Sequence, residues 1–374
     1  MEHKSSFAIK LFGMVFMLST VILLSGCAFK DIDKRLFVSA IGVDPAANGE
    51  EGYKVTLKVA LPFGAIKETT KPNFTYLSKE GESIGEIIRM LETHADKVLE
   101  FGHMKTIVIH EDLLTDHMKT FMDYFIRRGD IQFIAYVAGA KSSAEEILKV
   151  QPDTEAPASV SMFNFFGTDG TESPYITTTY LFQFRRDFFT EGLNAVLPLI
   201  ETNKDQTELI VNKTIVVDKK KDPLTLDHDE TKYYNTLFRG ANGFSYKVKN
   251  GDKRLLLNIS RVKMNYQIIT NNNVPQAIDM DVKMVGVIGE SDKTLSIAKL
   301  DEYNHFASKE VKKKILGLLN RMQEHQVDPF GFGLHYRATR LSHDHLAETW
   351  RQAYPDLKFN VNVEVKLQST GTIQ

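Results

Sequence analysis

The start of the chain constrains it most. An apolar run from Leu11 to Leu24, interrupted by Gly13, Ser19 and Thr20, follows a short positive segment carrying Lys4 and Lys10. It ends in Leu24-Ser25-Gly26-Cys27, and Cys27 is the single cysteine of 374 residues. A basic flank, an apolar core and small residues at a cleavage point make the layout of a secretory signal. The Leu-Ser-Gly-Cys ending is narrower still and looks like a bacterial lipobox. In such a motif the peptide before the cysteine is removed and the thiol takes a diacylglycerol, with palmitate among the added lipid. Residues 1–26 are then the signal peptide and Cys27 the lipidation site. Two other readings stay open at this point: an uncleaved membrane helix, since the run is near the lower limit for spanning, and a thiol buried as a small hydrophobe.

The lipid reading has physical consequences. One acyl chain holds a protein marginally, whereas two hold it stably. A diacylglycerol on Cys27 therefore tethers the chain to an outer leaflet without a spanning segment, and no later apolar run is long enough to cross a bilayer. Absence of any other cysteine excludes intrachain disulfides, a thiolate nucleophile and a cysteine-ligated zinc site. The formal net charge of −2 becomes −3 without the signal, with 44 basic against 47 acidic residues, so nothing electrostatic favours a nucleic-acid partner.

After the anchor, Leu36 to Asp44 is an apolar strand ended by Asp-Pro, and Tyr53 to Leu61 alternates apolar and polar residues as a strand with one buried face. Ser83 and Glu86 form a capping box ahead of Ile84, Ile87, Ile88, Leu91, Ala95 and Val98 at helical spacing. A strand over Thr106–Ile109, a helix through Leu114, Met118, Phe121, Met122 and Phe125, a strand over Ile131–Val137 and a capped helix over Ser142–Val150 follow. Gln151 to Pro174 is an irregular insertion holding Met162-Phe163-Asn164-Phe165-Phe166, either a contact surface or a piece tucked into a neighbouring core. Leu181, Phe184 and Phe188 share a helix face, Leu193–Ile200 is apolar, and Glu201–Thr207 reads as a linker.

Beyond it the chain is strand-rich, over Leu209–Val217, Phe244–Lys249, Leu255–Tyr266 and Ile278–Ile288. A long helix after Asp301 turns Val311, Ile315, Leu318, Leu319 and Met322 inward and Lys312, Lys313 and Lys314 outward. Strict alternation from Leu357 to Leu367 marks a final strand with one face in water. The expected fold is α+β and multi-domain, with mixed α/β regions over 27–204 and 205–374 and three structural domains in all. The strand-rich C-terminal region ends in a long helix and an antiparallel edge strand.

Reactive constellations are missing. His110-Glu111 lacks the following histidine of a zinc protease motif, and neighbours in His343-Asp344-His345 do not share a face. Gly331-Phe332-Gly333 lacks the third glycine and preceding strand of a dinucleotide loop, and Asp328-Pro329 before it marks a chain reversal. No catalytic residue, metal site or cofactor is expected, and the chain is read as not an enzyme.

The ordered features resemble the C subunit of spore germinant receptors, the Ger(x)C-type lipoproteins of endospore formers. The resemblance is carried by the lipobox at Cys27, Ala40-Ile41-Gly42-Val43-Asp44 and Gly102-His103-Met104-Lys105. It continues with Val196-Leu197-Pro198-Leu199-Ile200, Asp328-Pro329-Phe330-Gly331-Phe332-Gly333, Trp350, Pro355 and Asn360-Val361-Asn362-Val363, then Thr370-Gly371. Ala28-Phe29-Lys30 stands where the family usually has Trp-Asp-Arg, and Lys219–Asn273 matches poorly. The resemblance implies a non-enzymatic receptor subunit on the outer face of the inner spore membrane, working with two polytopic subunits, the A and B types. A second hypothesis is an extracytoplasmic lipoprotein that binds the nutrient itself. Such a protein should show two similar lobes, and the sequence has no duplicated halves.

Overall fold

The structure, a computed structural model, describes residues 12–14, 34–47, 51–61, 74–115, 117–151, 161–166, 173–240, 243–250, 253–340 and 345–369. Cys27 lies outside these residues, as do His343 and Asp344. Contacts group the chain into two compact units, Met1–Arg35 and Leu36–Gln374. In the first, residues 12–14 are helical. No helix among the described residues is long and apolar enough to cross a membrane.

Short apolar or alternating runs, with less patterned segments between them, form the strands β1 (Arg35–Pro45), β2 (Tyr53–Ala60), β3 (Phe74–Gly81), β4 (Val98–Glu100), β5 (Thr106–His110), β6 (Tyr136–Ala140), β7 (Ala195–Thr202), β8 (Leu209–Val217) and β9 (Leu224–Leu226). They form one sheet in the order β3-β2-β1-β5-β6-β7-β8-β9, with β4 paired to β1. β1, β5, β6 and β7 are parallel, and antiparallel strands flank them on both sides. Parallel neighbours need crossover connections. The helices α1 (Ile84–Glu92), α2 (Met118–Arg127), α3 (Ala144–Lys149), α4 (Ser161–Phe166) and α5 (Leu181–Phe189) lie in them. Residues of α1, α2 and α5 share one core with the sheet, while α3 and α4 share another on its opposite face.

Several sequence expectations need correction here. The face of β2 expected in water is covered: Thr56 and Lys58 are buried beneath α3 and β3, and the Lys58 ammonium lies 4.4 Å from the Phe74 ring centre. The stripe of α1 stops at Glu92, because the Thr93 hydroxyl and amide both turn back to the Met90 carbonyl. Ala95 lies past the helix, and Val98 sits exposed on β4. The strand expected over Ile131–Val137 starts only at Tyr136, since Ala135 N closes a turn onto Gln132 O. Ser143, not Ser142, caps α3. In the Met162–Phe166 stretch, Phe166 is buried 5.4 Å from the Tyr136 ring centre, so this residue belongs to the core.

Glu201–Thr207 is a hairpin turn rather than a free linker: Thr202 pairs with Leu209, and Asn203 Oδ1 accepts the amides of Thr207 and Glu208. β8 and β9, after residue 205, thus complete the first sheet. β9 leads into α6 (His228–Phe238), an element the sequence reading passed over. Asp227 and Glu230 cap it reciprocally, a capping-box signal that was present in the sequence.

The second sheet has the order β10 (Phe244–Asn250), β11 (Lys253–Asn271), β12 (Val274–Ser291) and β13 (Lys358–Leu367). Asn272 and Asn273, with φ of 48° and 65°, make the tight turn between β11 and β12. α7 (Leu300–Glu324) buries Tyr303, Ala307, Val311, Ile315, Leu318, Leu319 and Met322 in one core with the sheet, and its Lys312, Lys313 and Lys314 are exposed. α8 (Phe332–Ala338) and α9 (Leu346–Ala353) follow. β13 is the expected edge strand with alternate buried positions, but it runs parallel to β12, not antiparallel. The helical crossover through α7, α8 and α9 returns the chain to the end of the sheet where β12 began, which forces the parallel direction. Val365 N and Leu367 N donate to Ser308 Oγ and Asn304 Oδ1 of α7 at 2.9 and 2.8 Å.

Candidate functional site

Asp328-Pro329-Phe330-Gly331-Phe332-Gly333 is where the chain's polar and aromatic chemistry converges. Gly331 adopts φ 71°, the left-handed region that glycine tolerates, and reverses the chain into α8. The buried Asp328 carboxylate then accepts from Phe332 N at 3.2 Å and Gly333 N at 2.7 Å, filling acceptor positions that the helix start lacks. Burial pushes this carboxyl up to about 7, against the downward pull of backbone amides from Phe330 to Gly333.

The same residue fastens the two halves of the sequence together. Asp328 N donates to Asn194 Oδ1 at 2.8 Å, Asn194 N donates to Asp328 O at 3.0 Å, and Leu334 N donates to Gly192 O at 2.8 Å. Gly192 has φ 78°, and a Cβ there would sit 2.6 Å from the Gly333 carbonyl carbon. A Cβ on Gly333 would meet Trp350 Nε1 at 2.4 Å, so both glycines are needed for the close approach. Phe330 and Phe332 meet Phe238 of α6, Tyr266 of β11 and Phe359 of β13 at ring-centre distances from 3.9 to 6.3 Å. Tyr234 and Tyr354 donate to the carbonyls of Pro329 and Val327. Beside the turn lies a cleft of about 360 Å³ bordered by Asn194, Asp218, Lys219, Lys221, Asp328 and Trp350.

A second resemblance motif repeats the logic. Asp44, at the end of β1, is buried, and its carboxylate accepts from Ala144 N at 2.6 Å, Glu145 N at 2.9 Å and Ser143 Oγ at 3.0 Å at the start of α3. Gly42 lets α3 press close, since a Cβ would lie 3.0 Å from Leu148 Cδ1 and 3.2 Å from Ala144 Cβ. In the third motif Met104 is buried, and His103 meets the Phe37 ring edge-on at 5.2 Å.

The residues considered for chemistry are dispersed. His110 Nδ1 accepts from Asp112 N at 3.2 Å, Glu111 pairs with Lys141 at 2.6 Å, and His345 begins α9. No group of three His, Cys, Asp or Glu able to hold a metal occurs among the described residues. The buried carboxylates are used as helix caps and clamps. Sequence reasoning recognised the Asp328–Gly333 chain reversal, but not its bonds to Asn194 and Gly192, which lie far away along the chain and carried no local signal.

The fold and this site define an α+β two-sheet body whose most constrained polar residues hold its parts together. Comparison with known proteins gives it a family. Residues 29–202 match the profile described as the spore germination protein N-terminal domain, and residues 212–371 the one described as spore germination B3/GerAC like, C-terminal. The chain belongs to the Ger(x)C family of spore germination proteins. It is 21% identical to the putative spore germination protein YfkR of Bacillus subtilis (strain 168), covering 97% of both chains. It is 19% identical to the spore germination protein GerQC of Bacillus cereus, covering 96% of this chain and 99% of that one. Spore germination protein KC of Bacillus subtilis (strain 168) is 22% identical over 96% of this chain and 95% of its own. The crystal structure of the GerBC protein superposes with a TM-score of 0.55 at 16% identity, covering 88% of this chain and 98% of that chain, which shows the shared fold.

Proposed function

We propose that the chain is a non-enzymatic, membrane-anchored subunit of a germinant receptor, needed for spore germination and acting by assembly with two polytopic subunits of the A and B types. Cys27 carries the lipid, and the body lies on the outer leaflet of the inner spore membrane. The observation that carries this reading is the use made of Asp44 and Asp328. The motifs that carry the resemblance place their carboxylates on helix starts inside the fold, so in this chain they serve shape. Full-length similarity to proteins named for spore germination supports the same role. We also propose that the sequence divides near residue 205 into two regions, 27–204 and 205–374; the two profile matches, ending at 202 and starting at 212, support it.

Co-purification of the membrane complex from spores tests the reading, with wild type compared against Cys27→Ala. Two polytopic proteins should accompany the wild type and be reduced with the variant, which should also leave the membrane fraction. If the wild type is lipidated and membrane-bound and nothing accompanies it, the receptor model falls. The second reading, a nutrient-binding lipoprotein, finds support in the cleft beside Asp328 and Lys219. Calorimetry of the protein with common germinants separates the two, because micromolar binding heat favours the second.

A further inference from the structure

We propose that the outward face of α5, together with the Phe133–Ile134 turn, rests on the headgroup surface of the bilayer. The proposal relies on the lipid anchor at Cys27 argued above. α5 buries Leu181, Phe184 and Phe188 and turns Phe182, Arg185 and Phe189 outward, at the spacing of one helix face. Phe182 and Phe189 are 43% and 41% exposed. Phe182 N donates to Phe133 O at 3.1 Å, which brings Phe182 beside Phe133 and Ile134, themselves 49% and 59% exposed. Phe133, Phe182 and Phe189 are thus three exposed phenylalanines on this part of the surface. Scattered apolar side chains on a surface are ordinary, whereas a contiguous set marks a contact.

The position of this face points to lipid. Lys105 N donates to Ser39 O and Tyr136 N to Lys105 O, so β5 and β6 begin beside Ser39, and β1 starts four residues further out at the same end of the sheet. Leu181 N bonds Ala135 O at the start of α5, and β7 begins soon after its end. α5 therefore runs along the edge of the sheet where the parallel strands start. Leu36, near the start of β1, is at that edge, and nine residues from Cys27 to Leu36 reach at most about 32 Å. A lipidated Cys27 thus attaches the body at this edge, which favours it over the opposite one for contact with the membrane.

Charge agrees with an anionic leaflet. The Arg185 guanidinium lies 5.7 Å from the Phe189 ring centre. Lys219, Lys220 and Lys221 follow Val217, which pairs with Ala195 at the same edge. Of the nearby carboxylates, Asp130 pairs with Arg128, Asp187 with Arg186, Glu191 with Arg337, and Asp218 accepts from Asn194, leaving Asp222 exposed. Aromatic rings interleaved with cations suit the interfacial layer.

The test uses the full lipidated chain in vesicles of equal parts phosphatidylglycerol and phosphatidylethanolamine that carry a brominated quencher lipid. Phe182→Trp and Phe189→Trp report on the face, and Ile297→Trp, at a residue 57% exposed in the turn before α7, is the reference. Buried Trp350 gives a common background. Quenching at 182 and 189 should be at least about twofold that at 297, and adding Phe133→Glu should reduce it. Flotation is scored in the same samples. A chain that floats but is quenched equally at all three positions overturns this proposal and leaves the anchor standing; a chain that does not float overturns both. Shielding of 182 and 189 only when membrane proteins of the receptor are present assigns the face to a protein partner and also overturns it.

Discussion

Asp328 shows how one side chain couples burial, capping and pH. Its carboxyl is pushed up to about 7 from the ordinary aspartate value of 3.8, so between those values the folded protein holds a proton that the unfolded chain releases. Stability from this group is therefore greatest at low pH and declines as pH rises through that window. The urea midpoint of the wild type should fall from pH 4 to pH 7 relative to Asp328→Asn, in which this slope disappears; equal slopes would show that Asp328 does not titrate there. Asp328→Ala should cost about 2–4 kcal/mol in denaturant unfolding, because the amides of Phe332 and Gly333 lose their buried acceptor. Gly333→Ala places a methyl within 2.4 Å of Trp350 Nε1, so the variant should be less stable by about 2–4 kcal/mol and show a shifted Trp350 emission. The turn itself was legible from Asp-Pro and the glycines. The burial of Asp328 was not, since Asn194, which holds its backbone, and Trp350, which closes over Gly333, come from other segments.

At the scale of elements, legibility follows the strength of local patterns. α7 carries a long periodic stripe that appears as expected, α1 keeps its stripe as far as Leu91, and β13 keeps its alternation though not its direction. β3 and β9 have no such pattern: β3 is half-buried along its length, and β9 is three residues long. The direction of β13 is a property of the crossover before it and leaves no mark in its own composition. The α3 start is a case where a distant residue completes a local signal. Ser143 caps the helix, but Asp44 from β1 supplies most of the acceptors. Asp44→Ala should destabilise the protein by about 2–3 kcal/mol and speed amide exchange in α3 more than in α7. Uniform exchange across both helices would mean that the bond to β1 does not hold α3 in particular.

At the scale of the molecule, the last strand governs the second sheet. A chain ending at Asp356 lacks Val361, Val363, Val365 and Leu367, the inner-face residues that share a core with α7. It should be cut by protease within α7 and β12 under conditions where the full chain resists. Resistance of those segments in the shortened chain would show that the sheet closes without its edge.

That dependence sets an order of events during synthesis. The first sheet draws on residues before 227 and is complete in sequence early. β12 pairs with β11 at once but must wait for its second partner, which begins at residue 358, with the apolar stripe of α7 lacking that strand in the interval. Long-range parallel pairing of this kind is slow to form and prone to mispairing while it waits. Assembly of the body is thus gated by its final ten-residue strand, and a chain arrested before that point presents to chaperones and proteases a finished half joined to an open one.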